Sequence, residues 1–246
     1  MALPWLLVLE LVLYAGCFIC GIMSAASLTI TQGHFTGQCI LYGTVEYNTS
    51  GLVLESPSHP SLCYFVSAIS VSVAVYCLSL TLYWIYTSCV EEEVKRERLW
   101  LNVTLGVCMK ILFFLAVSGC TLRIGRDRLC LSALHNVPSI TSCEEAENKT
   151  WVSPYDGNQF YTGLYDAEKS VWVNFFFWVL IVVVVFVQKR QGLGSGCLLS
   201  LRACLSFASM AALVSRSCSS SLRMLNMSSF YLLAQALALF PLLSYH

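Results

Sequence analysis

Charge is scarce in this sequence. Only 11% of its 246 residues are Asp, Glu, Lys or Arg, whereas an ordinary soluble domain carries about 25%. Basic and acidic residues number 14 each, so the formal net charge is zero. Such a chain has no broad basic field to attract nucleic acid. The composition argues against a soluble globular protein, and we predict no nucleic-acid partner.

Hydrophobic residues are abundant instead and make up 57% of the chain. A helix needs about 17 to 25 apolar residues to cross a hydrocarbon core of about 30 Å. Four stretches meet this requirement, at about 5–30, 63–89, 99–122 and 171–187. Lipid offers the backbone no hydrogen-bond partner, so each stretch must be helical. We predict an all-α fold, a four-helix transmembrane bundle over residues 1–188, followed by a cytosolic or interfacial tail over 189–246.

The first stretch is also open to interpretation as a signal peptide. Ser24, Ala25 and Ala26 resemble a cleavage site. However, no basic segment precedes the apolar residues, and the stretch is longer than the apolar part of a signal peptide. An uncleaved first span is therefore the prediction.

Basic residues indicate which loops face the cytosol. Lys95, Arg96 and Arg98 crowd the second loop, and Lys189 and Arg190 directly follow the fourth span. Short loops rich in Lys and Arg stay on the cytosolic side. Both termini are then cytosolic.

The first and third loops carry signals of the opposite compartment. Asn48 and Asn148 each begin an Asn-X-Ser/Thr sequon, the acceptor for lumenal N-glycosylation. One signal disagrees, because Arg123, Arg126 and Arg128 follow the third span on the same side. With the other signals in agreement, we predict glycans at both asparagines and a location in the secretory pathway or plasma membrane.

Cysteine pairs fall in these same two loops. Cys39 and Cys63 flank the first, and Cys130 and Cys143 lie in the third. In an oxidising compartment they form disulfides, and four cysteines allow three connectivities. Pairing within each loop is favoured because it closes a short loop in one folded unit. Cys89, at the cytosolic end of the second span, is a candidate for S-palmitoylation as well as a plain thiol.

A metal site is the alternative use of the first cysteine pair. His34, Cys39, His59 and Cys63 offer two imidazoles and two thiolates. Their spacing is not that of a zinc finger, and an oxidising compartment consumes the thiols. We predict neither a metal nor another cofactor.

Glu10 and Lys110 are the ionisable residues well inside a predicted span. Charges within a membrane are costly and suggest function. The first and third spans run parallel, with an axial offset of about 9 Å between the two residues. Because helical side chains lean toward the N-terminus, an ion pair is feasible. The alternative is that each side chain reaches the cytosolic interface alone.

Four stretches of the chain are distinctive: TQGHFTGQCILYG (31–43), PSLCYFV (60–66), LYWIYTSC (82–89) and QFYTGLYDAEKSVWVN (159–174). They resemble the transmembrane protein 179 family, specifically its B branch, over residues 1–188. The resemblance implies a four-span protein with cytosolic termini and adds no activity. The tail departs from the family. The loop patterns of claudins (W…GLW…C…C) and tetraspanins (C-C-G) are absent, so likeness to those groups is architectural only.

No cluster of His, Asp or nucleophilic residues falls at one membrane face, so we predict no enzymatic activity. The leading prediction is a non-enzymatic accessory or organising subunit that contacts the lipid bilayer and other membrane proteins. The alternative is a small transporter or channel component that uses Glu10 and Lys110.

Overall fold

The computed structural model describes residues 3–48, 51–90, 98–137 and 140–191. Its helices are α1 (Leu3–His34), α2 (Ser61–Val90), α3 (Arg98–Asn136) and α4 (Phe160–Gln191). An antiparallel hairpin, β1 (Cys39–Asn48) and β2 (Gly51–Ser58), joins α1 to α2. A 3-10 turn, Glu145–Asn148, precedes α4. The predicted tail lies outside the described residues from 192 onward.

All four helices are long and apolar enough to cross a membrane, and the predicted four-helix transmembrane bundle is confirmed. α1 packs against α2 and α4, while α3 packs against α4 and less extensively against α2. Each helix exposes apolar side chains outward, as the bilayer requires, and buries a narrower stripe inward.

Two helices continue far beyond their apolar stretches. α3 has 39 residues and is about 58 Å long at 1.5 Å per residue, nearly twice the hydrocarbon thickness. It runs on past residue 122 to Asn136 because a buried stripe of Leu122, Leu129 and Ala133 extends at helical spacing through the charged segment. α4 correspondingly begins at Phe160 rather than near residue 171. Together with the hairpin, the extensions build a domain beyond the most apolar stretches of the helices.

The hairpin was not predicted, since the fold was expected to be all-α. Its signals were present: β-branched and aromatic residues make up half of β1, and the polar sequence Thr49-Ser50 followed by a glycine comes directly after it. β1 packs on the extension of α3, where the Val45 amide donates to Ser132 Oγ (3.0 Å) and Asn136 Nδ2 donates to the Val45 carbonyl (2.8 Å). The α3 extension therefore supplies the hydrogen bonds that an isolated hairpin lacks.

The inward stripe of α1 is unusually small and polar. Its positions alternate in steps of four and three residues, as in a left-handed helix pair. All seven are buried: Glu10, Tyr14, Cys17, Gly21, Ser24, Leu28 and Thr31. Small residues let helix backbones approach closely, and Ser24 Oγ lies 3.2 Å from Ser70 Oγ of α2. Van der Waals contact and interhelical hydrogen bonds thus hold α1 to α2.

Replacing Gly21 with leucine is expected to weaken this packing. A Cβ at Gly21 would lie 2.8 Å from the Ser70 carbonyl oxygen and 3.0 Å from Ala74 Cβ. The helices must separate, at a cost of about 1–3 kcal/mol. Thermal unfolding in detergent measures the loss. Gly106→Leu is the control, because no atom lies within 4 Å of a Cβ there; equal melting of both variants would contradict the close contact.

Candidate functional site

Two regions concentrate polar chemistry. The first is the loop domain, by which we mean the described residues of 35–60, 123–137 and 140–170. The second is the buried carboxylate of Glu10 inside the bundle.

Two disulfides fix the loop domain. Cys39 bonds to Cys63 with a Cα separation of 5.8 Å, and Cys130 bonds to Cys143 with a Cα separation of 5.4 Å. The first joins the start of β1 to the start of α2, and the second joins α3 to the loop before α4. Pairing within each loop, the favoured prediction, is confirmed.

Because Cys39 and Cys63 are joined in a disulfide, neither thiolate is available for the alternative metal site with His34 and His59. His34 Nδ1 instead lies 3.4 Å from an oxygen of Asp156, and His59 Nδ1 lies 2.8 Å from Ser61 Oγ. Among the described residues, no three His, Cys, Asp or Glu side chains are grouped as metal ligands.

An aromatic cluster packs the third loop against the end of α1. The Phe35 ring centroid lies 5.2 Å from that of Trp151, edge to face, and 6.0 Å from that of Tyr155. Phe160 completes the cluster at 5.4 Å from Trp151. Gly157 must lack a side chain, because a Cβ there would lie 1.9 Å from Trp151 Nε1. This cluster forms part of the core of the loop domain.

Arg126 forms an ion pair with Glu168 between α3 and α4. Only 12% of the arginine side chain and 10% of the glutamate side chain are exposed. The guanidinium also lies 5.8 Å and 5.5 Å from the ring centroids of Tyr161 and Tyr165. A planar cation suits both a carboxylate and aromatic faces. The sequence had indicated Arg126 as an exception to the charge rule, and its partner was missed because Glu168 is 42 positions away.

Both predicted glycan acceptors, Asn48 and Asn148, have exposed side chains. Their glycosylation remains a prediction.

Glu10 is 1% exposed on the inward stripe of α1. Gln188 Nε2 of α4 donates a hydrogen bond to its carboxylate, at 3.0 Å. This partner was missed because the fourth span was predicted to end at residue 187. The contact between Gln188 and Glu10 is recognisable from topology, because the start of the first span and the end of the fourth span lie at the same membrane face. Lys110 is exposed on α3, and its ion pair with Glu10 remains a prediction.

Cys89, the candidate for palmitoylation, belongs to α2, but the structure does not describe its side chain. Its modification also remains a prediction.

Glu145 stabilises the turn before α4. The Thr141 amide and hydroxyl donate to its carboxylate, at 2.7 Å and 3.1 Å. Hydrogen bonding to the ionised form lowers the pKa of Glu145. The stabilisation is therefore present above the ordinary carboxyl pKa and is lost as pH falls through the lowered one.

We expect the Thr141 amide resonance to titrate in detergent NMR with a midpoint below the ordinary range for glutamate, because that amide bonds to the Glu145 carboxylate. Glu145→Gln should abolish this titration. A midpoint at or above the ordinary value would contradict the assignment.

Comparison with known proteins agrees with this architecture. A model described as the "Transmembrane protein 179/179B Claudin domain" matches residues 6–200. The family model is described as a claudin domain, although the loop motif of claudins is absent from the sequence. The chain is 62% identical to Transmembrane protein 179B of Danio rerio over 192 residues, which cover 78% of this chain and 88% of that protein.

The human protein of the same name is 44% identical over 191 residues, covering 78% of this chain and 86% of that protein. No solved structure matches. With four candidate membrane helices among its described residues, a disulfide in each of the first and third loops and a family model that spans most of its length, the chain belongs to the transmembrane protein 179/179B family.

Proposed function

We propose that this multi-pass membrane protein is a non-enzymatic accessory or organising subunit. It acts through lateral helix contacts and through its loop domain. The observation that carries the proposal is the uneven packing of the bundle, in which α2 is the most exposed helix.

Of the most apolar 18-residue segment of α2, 33% is buried, compared with 50% for the corresponding segment of α3. It packs on α1 and contributes little to a contact with α3. Five exposed apolar residues form its outer stripe: Val71, Val75, Leu78, Leu82 and Tyr86. Helices in lipid associate through van der Waals contact, and this stripe offers an apolar surface for a partner helix.

Photocrosslinking inside the membrane tests this role. A photoreactive residue placed at Val75 or Leu82 of α2 should produce discrete protein adducts, because a partner helix lies against that stripe. The matched control is Leu180 of α4, which is 49% exposed against 58% for Leu82. Adducts with lipid alone at both α2 positions would contradict the proposal.

For orientation, we propose that the loop domain is lumenal or extracellular and that both termini are cytosolic. The second loop and the residues that follow the fourth span carry Lys and Arg, the residues by which cytosolic segments are recognised. Arg126 weighs little against this orientation, because Glu168 pairs with its charge. The disulfides fit an oxidising compartment. This supports a location in the secretory pathway or plasma membrane.

Glycosidase treatment tests the orientation. We expect Asn48→Gln and Asn148→Gln each to remove one glycan-dependent mobility shift, because both sequons would be lumenal. Asn102 and Asn226 also begin sequons, but they should stay unmodified at the membrane face and in the cytosol. A glycan on either would overturn the orientation.

Ion transport is the second candidate function. It is favoured by the buried Glu10 carboxylate on a polar helix stripe. If the accessory role is correct, Lys110→Leu leaves trafficking and partner crosslinks intact, because neither depends on this charge. Met109→Leu, at the neighbouring position of α3, is the control. If reconstituted vesicles show an ionic conductance with the wild type and with Met109→Leu but not with Lys110→Leu, transport is established instead.

A further inference from the structure

The second sequon, Asn148-Lys149-Thr150, is restrained on both sides. Before it, the Glu147 carboxylate accepts hydrogen bonds from the Thr162 amide and hydroxyl of α4, at 2.5 Å and 3.1 Å. After it, Trp151 Nε1 donates to the Ala146 carbonyl at 3.3 Å, while the Trp151 ring packs in the aromatic cluster. The sequon is therefore closed into a small loop.

The sequon also docks on the hairpin. The Leu52 amide donates to the Thr150 carbonyl at 2.9 Å, and the Val152 amide donates to the Leu52 carbonyl at 3.0 Å. At Gly51, φ is +138° and a Cβ would lie 2.5 Å from the Thr150 carbonyl oxygen. Only glycine allows so close an approach. Asn48 pairs with Gly51 in the hairpin, so Asn48 lies at the end of the sheet on which the second sequon docks.

Glycan transfer requires the sequon to leave this arrangement. The asparagine amide nitrogen bonds to the anomeric carbon of an oligosaccharide carried on a lipid diphosphate. The carbon–oxygen bond to the diphosphate breaks, and the amide gives up one proton. The transferase must hold Asn, X and Thr in its own site, so the hydrogen bonds at Thr150 and Glu147 must be open during transfer.

The two sequons differ in timing. Asn148 follows Asn48 by 100 residues, about 5–20 s of synthesis. When Asn148 emerges, its docking partners Phe35 and Leu52 have already been made. Asn48, in contrast, emerges before the third loop exists. Docking of the third loop therefore competes with modification at Asn148, whereas Asn48 is accessible to the transferase before this docking can occur.

We propose that docking of the third loop on the hairpin and glycan addition at Asn148 exclude each other, so that Asn148 is modified only in chains that have not yet docked. The wild-type protein is then a mixture of one-glycan and two-glycan forms, with Asn48 modified in both. This inference rests on the proposed lumenal orientation of the loop domain.

Two substitutions that leave both sequons intact test the competition. Gly157→Ala displaces Trp151, and Phe35→Ala removes its ring partner. Each should shift the mixture to the two-glycan form on gels, with the added glycan lost in an Asn148→Gln background. Gly33→Ala is the matched control, because a Cβ there meets no atom within 4 Å. Gly21→Leu controls for instability within the bundle.

The outcomes separate the two hypotheses. A shift in Gly157→Ala and Phe35→Ala, with neither control shifting, supports the competition. Complete modification of Asn148 in the wild type, or an unchanged mixture in both variants, overturns it while leaving the orientation intact. A similar shift in Gly21→Leu also overturns it, because slow folding in general would then be the cause. Absence of any glycan at Asn48 and Asn148 overturns the orientation itself.

Discussion

Replacing Cys39 and Cys63 together with serine is expected to unfold the loop domain while the helices stay in the membrane. The disulfide closes a loop of 24 residues, for which the chain-entropy model gives about 3.5 kcal/mol. It also anchors β1, because Cys39 begins the strand and both cysteines are fully buried. The hairpin has two strands, too few to be stable alone, so losing the anchor should release it from α3.

Limited proteolysis of the detergent-solubilised protein measures this effect. The double variant should be cut in the hairpin at protease concentrations that leave the wild type intact. Cys20→Ser is the control, because Cys20 is a free thiol of α1 that lies outside the loop domain. Equal resistance of the double variant and the wild type would show that α3 holds the hairpin without the disulfide.

Arg126→Leu is expected to cost about 3–5 kcal/mol, the usual effect of leaving one charge of a buried pair without its partner. The Glu168 side chain is 10% exposed and would lose its ion-pair partner at the contact between α3 and α4. Removing both charges, in Arg126→Leu with Glu168→Leu, should cost less than Arg126→Leu, because no buried carboxylate is then left without its partner at this contact.

A double-mutant cycle on thermal unfolding isolates this coupling. Arg128→Leu serves as the control, since Arg128 is exposed two positions away on the same helix. Additive losses in the cycle would contradict the ion pair.

The membrane bundle and both disulfide pairs were predictable because their signals are local or compositional. An apolar stretch of sufficient length must be a helix in lipid, and cysteines in short loops pair with their neighbours.

The loop domain was not predicted, because its structure depends on contacts between distant residues. Leu52 meets Trp151, Arg126 meets Glu168, and Glu10 meets Gln188. Hydropathy also stops being informative where α3 leaves its apolar stretch, so the helical extension that supports the hairpin was missed. A stripe of Leu122, Leu129 and Ala133 at helical spacing was the signal available.

The first and third loops fold into one disulfide-closed domain, which we propose to lie outside the cytosol. Mass spectrometry of unreduced peptides from cell membranes, alkylated at lysis, is the decisive measurement for both the fold and the compartment. We predict one peptide pair linked through Cys39 and Cys63 and another through Cys130 and Cys143. Links that cross between the two loops would contradict the fold, and four alkylated thiols would contradict the compartment.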